Sequence, residues 1–354
     1  MLQGKSIGVV VVAYNEEEFV GKVIDGIPEY VDRVYAVDDR STDGTWEEIR
    51  TGVDRANRRR GDDGVFVEPF RAIRHEENQG VGGAIKTGYR HARDDGVDVT
   101  VVMAGDDQMD PDLLPEVVRP VVEGRVDYAK GDRLSNPEHR QGMPRFRLVG
   151  NLLLTGLVRT ASGYWSMVDP ANGYTAISLE ALEALDFDDL YEDYGFAFDL
   201  LVKLNAEDLA VADVVMPAKY AGEESGIDLA SFVPKTSSLM LRDFCWRLRE
   251  SYLRERHPVA AVFGLAVLGC AAGTVAAARS LASTLRRDDD TPDRRSSAVQ
   301  LLAGSVLFTL LGLALDRERN RDRVYRVDGR DPEADPTEPT PESSPVRGPA
   351  AADD

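Results

Sequence analysis

Over roughly the first 230 positions, short runs of β-branched and other apolar residues alternate with stretches of helical period. IGVVVVA is followed by EEFVGKVIDGI, RVYAVDD by TWEEIRTGV, FRAIRH by GVGGAIKTGYRHA, and VDVTVVMAG by DPDLLPEVVRPVVEG. Alternation at this spacing predicts βαβ units, hence an α/β fold with a mostly parallel sheet covered by helices. Ligands of such sheets sit beyond the carboxyl ends of the strands. Each of those ends is polar here: Tyr14-Asn15-Glu16, Asp38-Asp39, His75 to Asn78, and Asp106 to Asp110.

The pattern then changes. Pro258 to Ala278 carries no charge for 21 residues and Ser296 to Leu315 none for 20, each long enough at about 1.5 Å per residue to cross roughly 30 Å of hydrocarbon. Two spans predict a transmembrane hairpin; the alternative is a pair of buried helices packed on the globular part. The Ala and Gly content of both runs suits close helix packing in lipid. Arginines flank the hairpin on its outer sides, at 247, 249, 254 and 256 and again at 317, 319, 321 and 323, and outnumber the five in the connecting loop. The positive-inside bias places the sheet domain and the tail in the cytoplasm, on a cell membrane crossed twice. Before the spans, Leu239, Phe244, Trp246, Leu248 and Tyr252 recur among arginines, as an amphipathic helix on the membrane surface or a plain connector. The tail is rich in Pro and acids and is expected to be disordered. The expected organisation is a catalytic domain over 1–234, a juxtamembrane helix over 235–257, two membrane helices within 258–316 and an acidic tail over 317–354.

The net charge of −20 argues against a nucleic-acid binder, since no excess positive charge exists to displace counterions from phosphates. Lysine occurs only at 5, 22, 86, 130, 203, 219 and 235. An acidic, lysine-poor surface fits solubility in a high-salt cytoplasm. Cys245 and Cys270 form no disulfide framework and no CxxC or HExxH spacing is present, which points to a reduced compartment without a zinc site. The apolar run near the N-terminus is too short for a signal peptide.

The candidate chemistry lies in VDVTVVMAGDDQMDPD, Val97 to Asp112. In extended geometry Asp106 and Gln108 point the same way while Asp107 turns aside. One carboxylate and one amide oxygen are ligands a hard cation such as Mg²⁺ accepts, with water and substrate phosphates completing the shell. Asp110-Pro111-Asp112 reads as N-cap, proline at N1 and an acid in the first helical turn.

Four segments together, VVVVAYNEEEF, AVDDRSTDGT, HEENQGVGGAIKTGY and MAGDDQMDP, resemble the family-2 glycosyltransferases of GT-A fold, and among them the dolichyl-phosphate mannose and glucose synthases, over about residues 5 to 230. The resemblance implies that Ala13, Tyr14 and Glu16 line the nucleotide, that Asp38 and Asp39 hold the nucleoside, and that Asn78 with Gly80 and Gly82 lets backbone approach the sugar nucleotide. It also implies Mg²⁺ or Mn²⁺ on Asp106 and Gln108, although the family's DxDxQ motif has Ala104 in place of its first aspartate. Arg133 in Gly131-Asp132-Arg133, with Arg147 and Asn151 one helical turn apart, matches the positions that hold the acceptor phosphate. Asp169 leads the segment around the sugar, VDPANGY, in which Thr175 follows where the family has a basic residue. Asp106, Arg133, Arg147 and Asp169 are thus the implied catalytic set. The implied reaction is inverting transfer of a hexose from a UDP- or GDP-sugar to dolichyl or another polyprenyl phosphate held in membrane lipid. Glu192-Asp193 resembles the base-bearing pair of relatives that act on sugar hydroxyls, so a hydroxyl acceptor stays open; otherwise the pair caps the next helix. The missing aspartate also leaves open an inactive nucleotide-sugar sensor tethered to the membrane.

Overall fold

The computed structural model describes residues 1–61, 65–136, 145–217, 229–285 and 292–327; at 145–147, 229–231, 284–285 and 292–295 it describes the backbone alone. Strand β1 (Ile7–Ala13) sends Ile7, Val9 and Val11 to one face of the sheet and Val10 to the other, and all four are fully buried. Two covered faces are why this segment is apolar without alternation. It pairs in parallel with β2 (Arg33–Asp38) and β4 (Val99–Ala104), and β2 with β3 (Phe70–Arg74). Helices α1 (Val20–Asp25), α2 (Thr45–Arg60) and α4 (Leu114–Val122) close one face through Val20, Ile24, Ile49 and Val117. The other face is closed by α3 (Gly80–Asp94), α5 (Arg145–Ser162), α6 (Leu179–Ala184) and α7 (Phe196–Ala206), through Tyr89, Val158, Leu182 and Leu201.

The second half departs from the parallel pattern. Strand β6 (Thr175–Ser178) runs antiparallel to β4 on one side and to β5 (Tyr128–Asp132) on the other. Beyond β5 the sheet continues in parallel with β7 (Val211–Val215) and β8 (Val324–Val327), giving the order β3-β2-β1-β4-β6-β5-β7-β8. β8 corrects the expectation of a structureless chain from 317: Arg317–Arg319 finish a helix, and Val324 to Val327 add a strand to the domain's edge. Positions 328–354, the rest of the expected tail, lie outside the described residues.

Between β7 and β8 the chain forms α8 (Leu229–Leu248), a π-helical turn (Arg249–Arg254), α9 (Pro258–Leu285) and α10 (Pro292–Arg319). The last two hold apolar spans of 26 and 24 residues, Pro258–Ser283 and Ser296–Arg319, both of mean hydropathy 2.1 and mostly unburied. They pack on each other where side chains are small. A Cβ on Gly273 would lie 2.8 Å from Leu302 Cγ, and one on Gly269 3.3 Å from Ser305 Cβ, so this pair, four residues apart, lets the helices approach. α8 differs from expectation in what its apolar side meets. Leu239 and Met240 are buried in the domain core with Phe244 and Trp246 against it, while Tyr252 packs with Val259 and Phe263 at the foot of the hairpin. Its outer side carries Lys235, Ser237, Ser238 and Arg242 together with Val233 and Leu241.

A buried polar joint fastens hairpin to domain. Arg247, without exposed surface, pairs bidentately with Asp316 of α10 at 2.7 and 3.0 Å. Asp316 also accepts from Tyr252 and, at 2.8 Å, from Trp165 Nε1. Arg247 Nε donates to the Ala161 carbonyl at 2.7 Å, at the end of α5. Asn320 accepts from Asn205 Nδ2 of α7 at 3.0 Å.

Candidate active site

The carboxyl ends of β1, β2, β3 and β4 meet through backbone hydrogen bonds: Asp39 N to Ala13 O at 3.0 Å, His75 N to Asp38 O at 2.9 Å, and Gly105 N to Val12 O at 2.8 Å. The loop after β1 is stitched to the loop after β2. Asn15, at φ 58°, takes a left-handed conformation that Asn tolerates. Its amide donates to Ser41 Oγ at 3.0 Å and its Oδ1 accepts from Thr42 N at 2.9 Å, while Glu16 N donates to Thr45 Oγ1 at 2.7 Å. Ala13 is buried beneath and Tyr14 stands half exposed.

The two aspartates closing β2 differ. Asp38 has no exposed surface; it accepts from Ser41 N at 3.1 Å and pairs with Arg74 Nε at 3.0 Å. It holds the turn. Asp39 Oδ1 accepts from Gln79 N at 2.8 Å and lies 2.7 Å from His75 Nδ1, whose Nε2 is 2.9 Å from Thr87 Oγ1 of α3. Oδ2 of Asp39 has no protein partner among the described residues. Asn78 donates to the Asp39 carbonyl at 3.1 Å and accepts from Gly80 N at 3.2 Å.

The glycines opening α3 serve the packing of a neighbouring loop. A Cβ on Gly80 would lie 2.7 Å from the Glu192 carbonyl oxygen, and one on Gly82 2.7 Å from that of Tyr191. Their smallness admits the loop before α7. Gly83 N donates to Glu192 O at 3.1 Å, and Lys86, almost wholly buried, donates to Leu190 O at 3.0 Å and to Glu192 Oε1 at 2.9 Å. Glu192 therefore does not cap α7, whose N-cap, Gly195, receives no side-chain hydrogen bond.

Asp106 and Gln108 do come together, by a geometry other than the extended one expected. β4 stops at Ala104, Asp107 turns left-handed at φ 59°, and Asp106 Oδ1 accepts from Gln108 N at 3.0 Å. Both line a cavity of about 140 Å³ with Asp110, Arg133, Asn172 and Tyr174. Asp110 does cap, accepting from Asp112 N at 3.1 Å. Tyr174 donates to the Asp110 carbonyl at 3.0 Å, and burial raises its hydroxyl far above the usual tyrosine range, so it stays a donor. A carboxylate, an amide oxygen and the Asp110 carboxylate on one cavity are hard ligands, and they fit a divalent ion whose shell is finished by water and phosphate. Among the described residues no group of three or more His, Cys, Asp or Glu side chains forms a metal cage.

Across the cavity, Arg133 at the end of β5 binds Asp169 bidentately, Nε to Oδ2 at 2.8 Å and Nη2 to Oδ1 at 3.2 Å. Asp169, the leading aspartate of the segment expected around the sugar, is 1% exposed and orients Arg133. Lys130 supports it from below, donating to the Asp169 carbonyl at 2.8 Å and pairing with buried Asp213, whose carboxyl burial pushes up. Asn151 lies half buried on α5. One turn later Thr155 donates to Val168 O at 3.0 Å, beside Asp169. The Arg147 side chain lies outside the described residues. His75, Thr87 and Lys86, which the motifs did not single out as ligands, are the structure's additions; for Lys86 the rarity of lysine in the chain was the available signal.

A family model described as glycosyl transferase family 2 matches residues 8–186. The UDP-N-acetylglucosamine–dolichyl-phosphate N-acetylglucosaminyltransferase of Methanococcus voltae is 29% identical over 219 residues, covering 61% of this chain and 86% of that protein. The dolichyl-phosphate hexose transferase of Haloferax volcanii is 26% identical over 222 residues, covering 63% and 86%. The crystal structure of glucosyl-3-phosphoglycerate synthase from Mycobacterium tuberculosis with UDP aligns at a TM-score of 0.49 and 22% identity, covering 69% of this chain and 80% of that one.

Proposed function

The chain belongs to glycosyl transferase family 2, and from that premise we propose that it transfers a hexose from a UDP- or GDP-sugar to dolichyl or another polyprenyl phosphate, with inversion, at the cytoplasmic face of the membrane. The observation that carries this reading is the single cavity in which Asp106 and Gln108 face Arg133, on a domain joined through Arg247 and Asp316 to two membrane-length helices. The acceptors named for the two archaeal relatives, dolichyl phosphates, support it.

Asp39, held by His75 and Gln79, offers its second oxygen to the nucleoside beside Tyr14. Asp106 and Gln108 would hold a divalent cation, which when bound supplies positive charge against the departing diphosphate. An acceptor phosphate is anionic near neutral pH, so its oxygen attacks the anomeric carbon without a base as the bond from that carbon to the diphosphate oxygen breaks. Arg133, kept in register by Asp169, offers the planar fork suited to that phosphate, and Arg147 and Asn151 are proposed as its further ligands. Catalysis then rests on alignment and charge placement. A hydroxyl acceptor needs a carboxylate available to take its proton; Glu192 is instead paired with Lys86, which disfavours that reading.

Incubation of the full chain in vesicles with labelled UDP- and GDP-hexoses should convert label into an organic-soluble, acid-labile lipid. Asp106→Ala should lower metal-dependent turnover by at least about a hundredfold. Tight nucleotide binding with no lipid product from any donor would instead establish the sensor.

A further inference from the structure

Helix α5 is apolar on two sides. Thr155, Val158 and Ala161 turn inward and are at most 4% exposed. Val149, Leu152, Leu153 and Leu157 recur at helical spacing on the opposite side and are 56, 58, 67 and 46% exposed. Gly150 and Gly156 fill the remaining exposed positions, so this outer stripe carries no polar side chain from 149 to 157. Scattered exposed leucines are ordinary on a soluble surface; a contiguous stripe of four marks a contact surface.

Its position names the partner. At its C-terminal end the carbonyls of Thr160 and Ala161 accept from Arg247, the residue whose guanidinium grips Asp316 at the end of the second apolar span. Trp165, three residues beyond α5, donates to the same carboxylate. α5 therefore leaves from the foot of the hairpin, where chain emerging from a bilayer meets water. The outer side of α8, the helix whose sequence suggested a membrane surface, mixes Lys235, Ser237, Ser238 and Arg242 with Val233 and Leu241, so it shows no continuous apolar stripe.

We propose that the Val149–Leu157 face of α5 lies in the lipid bilayer's interfacial layer, so that one helix presents apolar side chains to lipid outside and Asn151 with Thr155 to the catalytic domain inside. The inference rests on the acceptor reading above and deepens it: a phosphate attached to a membrane-embedded chain would reach a site that α5 adjoins, through Thr155 and the Val168 carbonyl beside Asp169, without leaving the bilayer surface. Dry burial of the stripe also sets how deeply the domain sits.

A nitroxide label on Leu153→Cys tests it, in the full chain carrying Cys245→Ser and Cys270→Ser, reconstituted in vesicles of mixed neutral and anionic phospholipid. Oxygen should relax the label more than a water-soluble nickel complex does, and the order should reverse for Ser238→Cys on α8. Dominance of the nickel complex at 153 overturns the proposal, as does protection from both relaxants, which would mean that another segment or a second copy covers the face. A second arm uses Leu153→Glu with Leu157→Glu: KM for a long-chain polyprenyl phosphate in vesicles should rise roughly tenfold or more, while turnover of a water-soluble short-chain phosphate changes less than about twofold. Equal losses on both acceptors, or an unchanged KM, count against it. Failure of the unsubstituted chain to use either acceptor sinks the acceptor reading alone, because the label reports on the surface without turnover.

Discussion

Asp39 shows how much at this site is decided one atom at a time. His75 and Gln79 occupy Oδ1, which orients the carboxylate whose Oδ2 is proposed to take the nucleoside. Substituting His75→Ala should therefore raise the donor KM about tenfold, the scale of a lost orienting hydrogen bond to a charged group, with kcat changed less than about twofold. Steady-state kinetics with saturating lipid acceptor measures both; a fall in kcat alone would show that His75 acts elsewhere. The aspartates and asparagines around it were legible because Asp, Asn and Gly at strand ends have few structural substitutes. The pairing of Asp39 with His75 was not, since 36 residues separate them and their meeting depends on β2 and β3 lying side by side. Metal ligation follows the same logic. With no cage among the described residues, Mn²⁺ alone should bind weakly and bind at least about tenfold more tightly once a nucleoside diphosphate completes its shell; calorimetry with and without nucleotide checks this.

Between elements, the contacts that matter are buried and charged. Asp199 of α7 and Asp243 of α8 are 0 and 1% exposed, and Tyr191 N, in the loop that rests on Gly82, donates to Asp199 at 2.8 Å. Burial, reinforced by Asp199 nearby, pushes the Asp243 carboxyl up to about 6. The folded state thus favours the protonated acid: its advantage is complete below about pH 4, where the unfolded chain is protonated too, and is lost as pH rises through 6. Thermal unfolding between pH 4 and 7 should show stability falling with pH, by on the order of 2 kcal/mol at this group, and Asp243→Asn should flatten that slope and stabilise the protein at pH 8. The joint at Arg247 predicts the opposite kind of effect. Asp316→Ala leaves a guanidinium buried and unpaired, which costs about 3–5 kcal/mol. The melting temperature in detergent should drop accordingly, and the recovery in Asp316→Asn should be partial.

At the scale of the molecule, hairpin and sheet are one assembly. The chain leaves the domain through α8, runs through α9 and α10, and returns to pair β8 with β7, so the apolar helices are fastened at both ends. The chain carries an excess of acid, 62 Asp and Glu against 42 Lys and Arg. Screening should therefore stabilise the folded chain, and its melting temperature should rise as KCl increases from tenths molar to molar concentrations; a salt-independent curve would contradict the high-salt reading of the composition.

By itself the sequence determined the elements whose signal is local. β-branched runs, helical periods, two uncharged stretches and the polar residues at strand ends depend on neighbours a few positions away, and they specified the α/β fold, the hairpin and the residues around Asp106. Tertiary structure alone decided which groups meet: that Gly80 and Gly82 make room for the 191–192 loop, that Asp169 serves Arg133, that β8 extends the sheet's edge, and that α5 turns an unbroken apolar stripe outward while α8 buries Leu239 and Met240. Each depends on packing between segments far apart in the chain, where burial and charge pairing choose among partners that periodicity treats as equivalent.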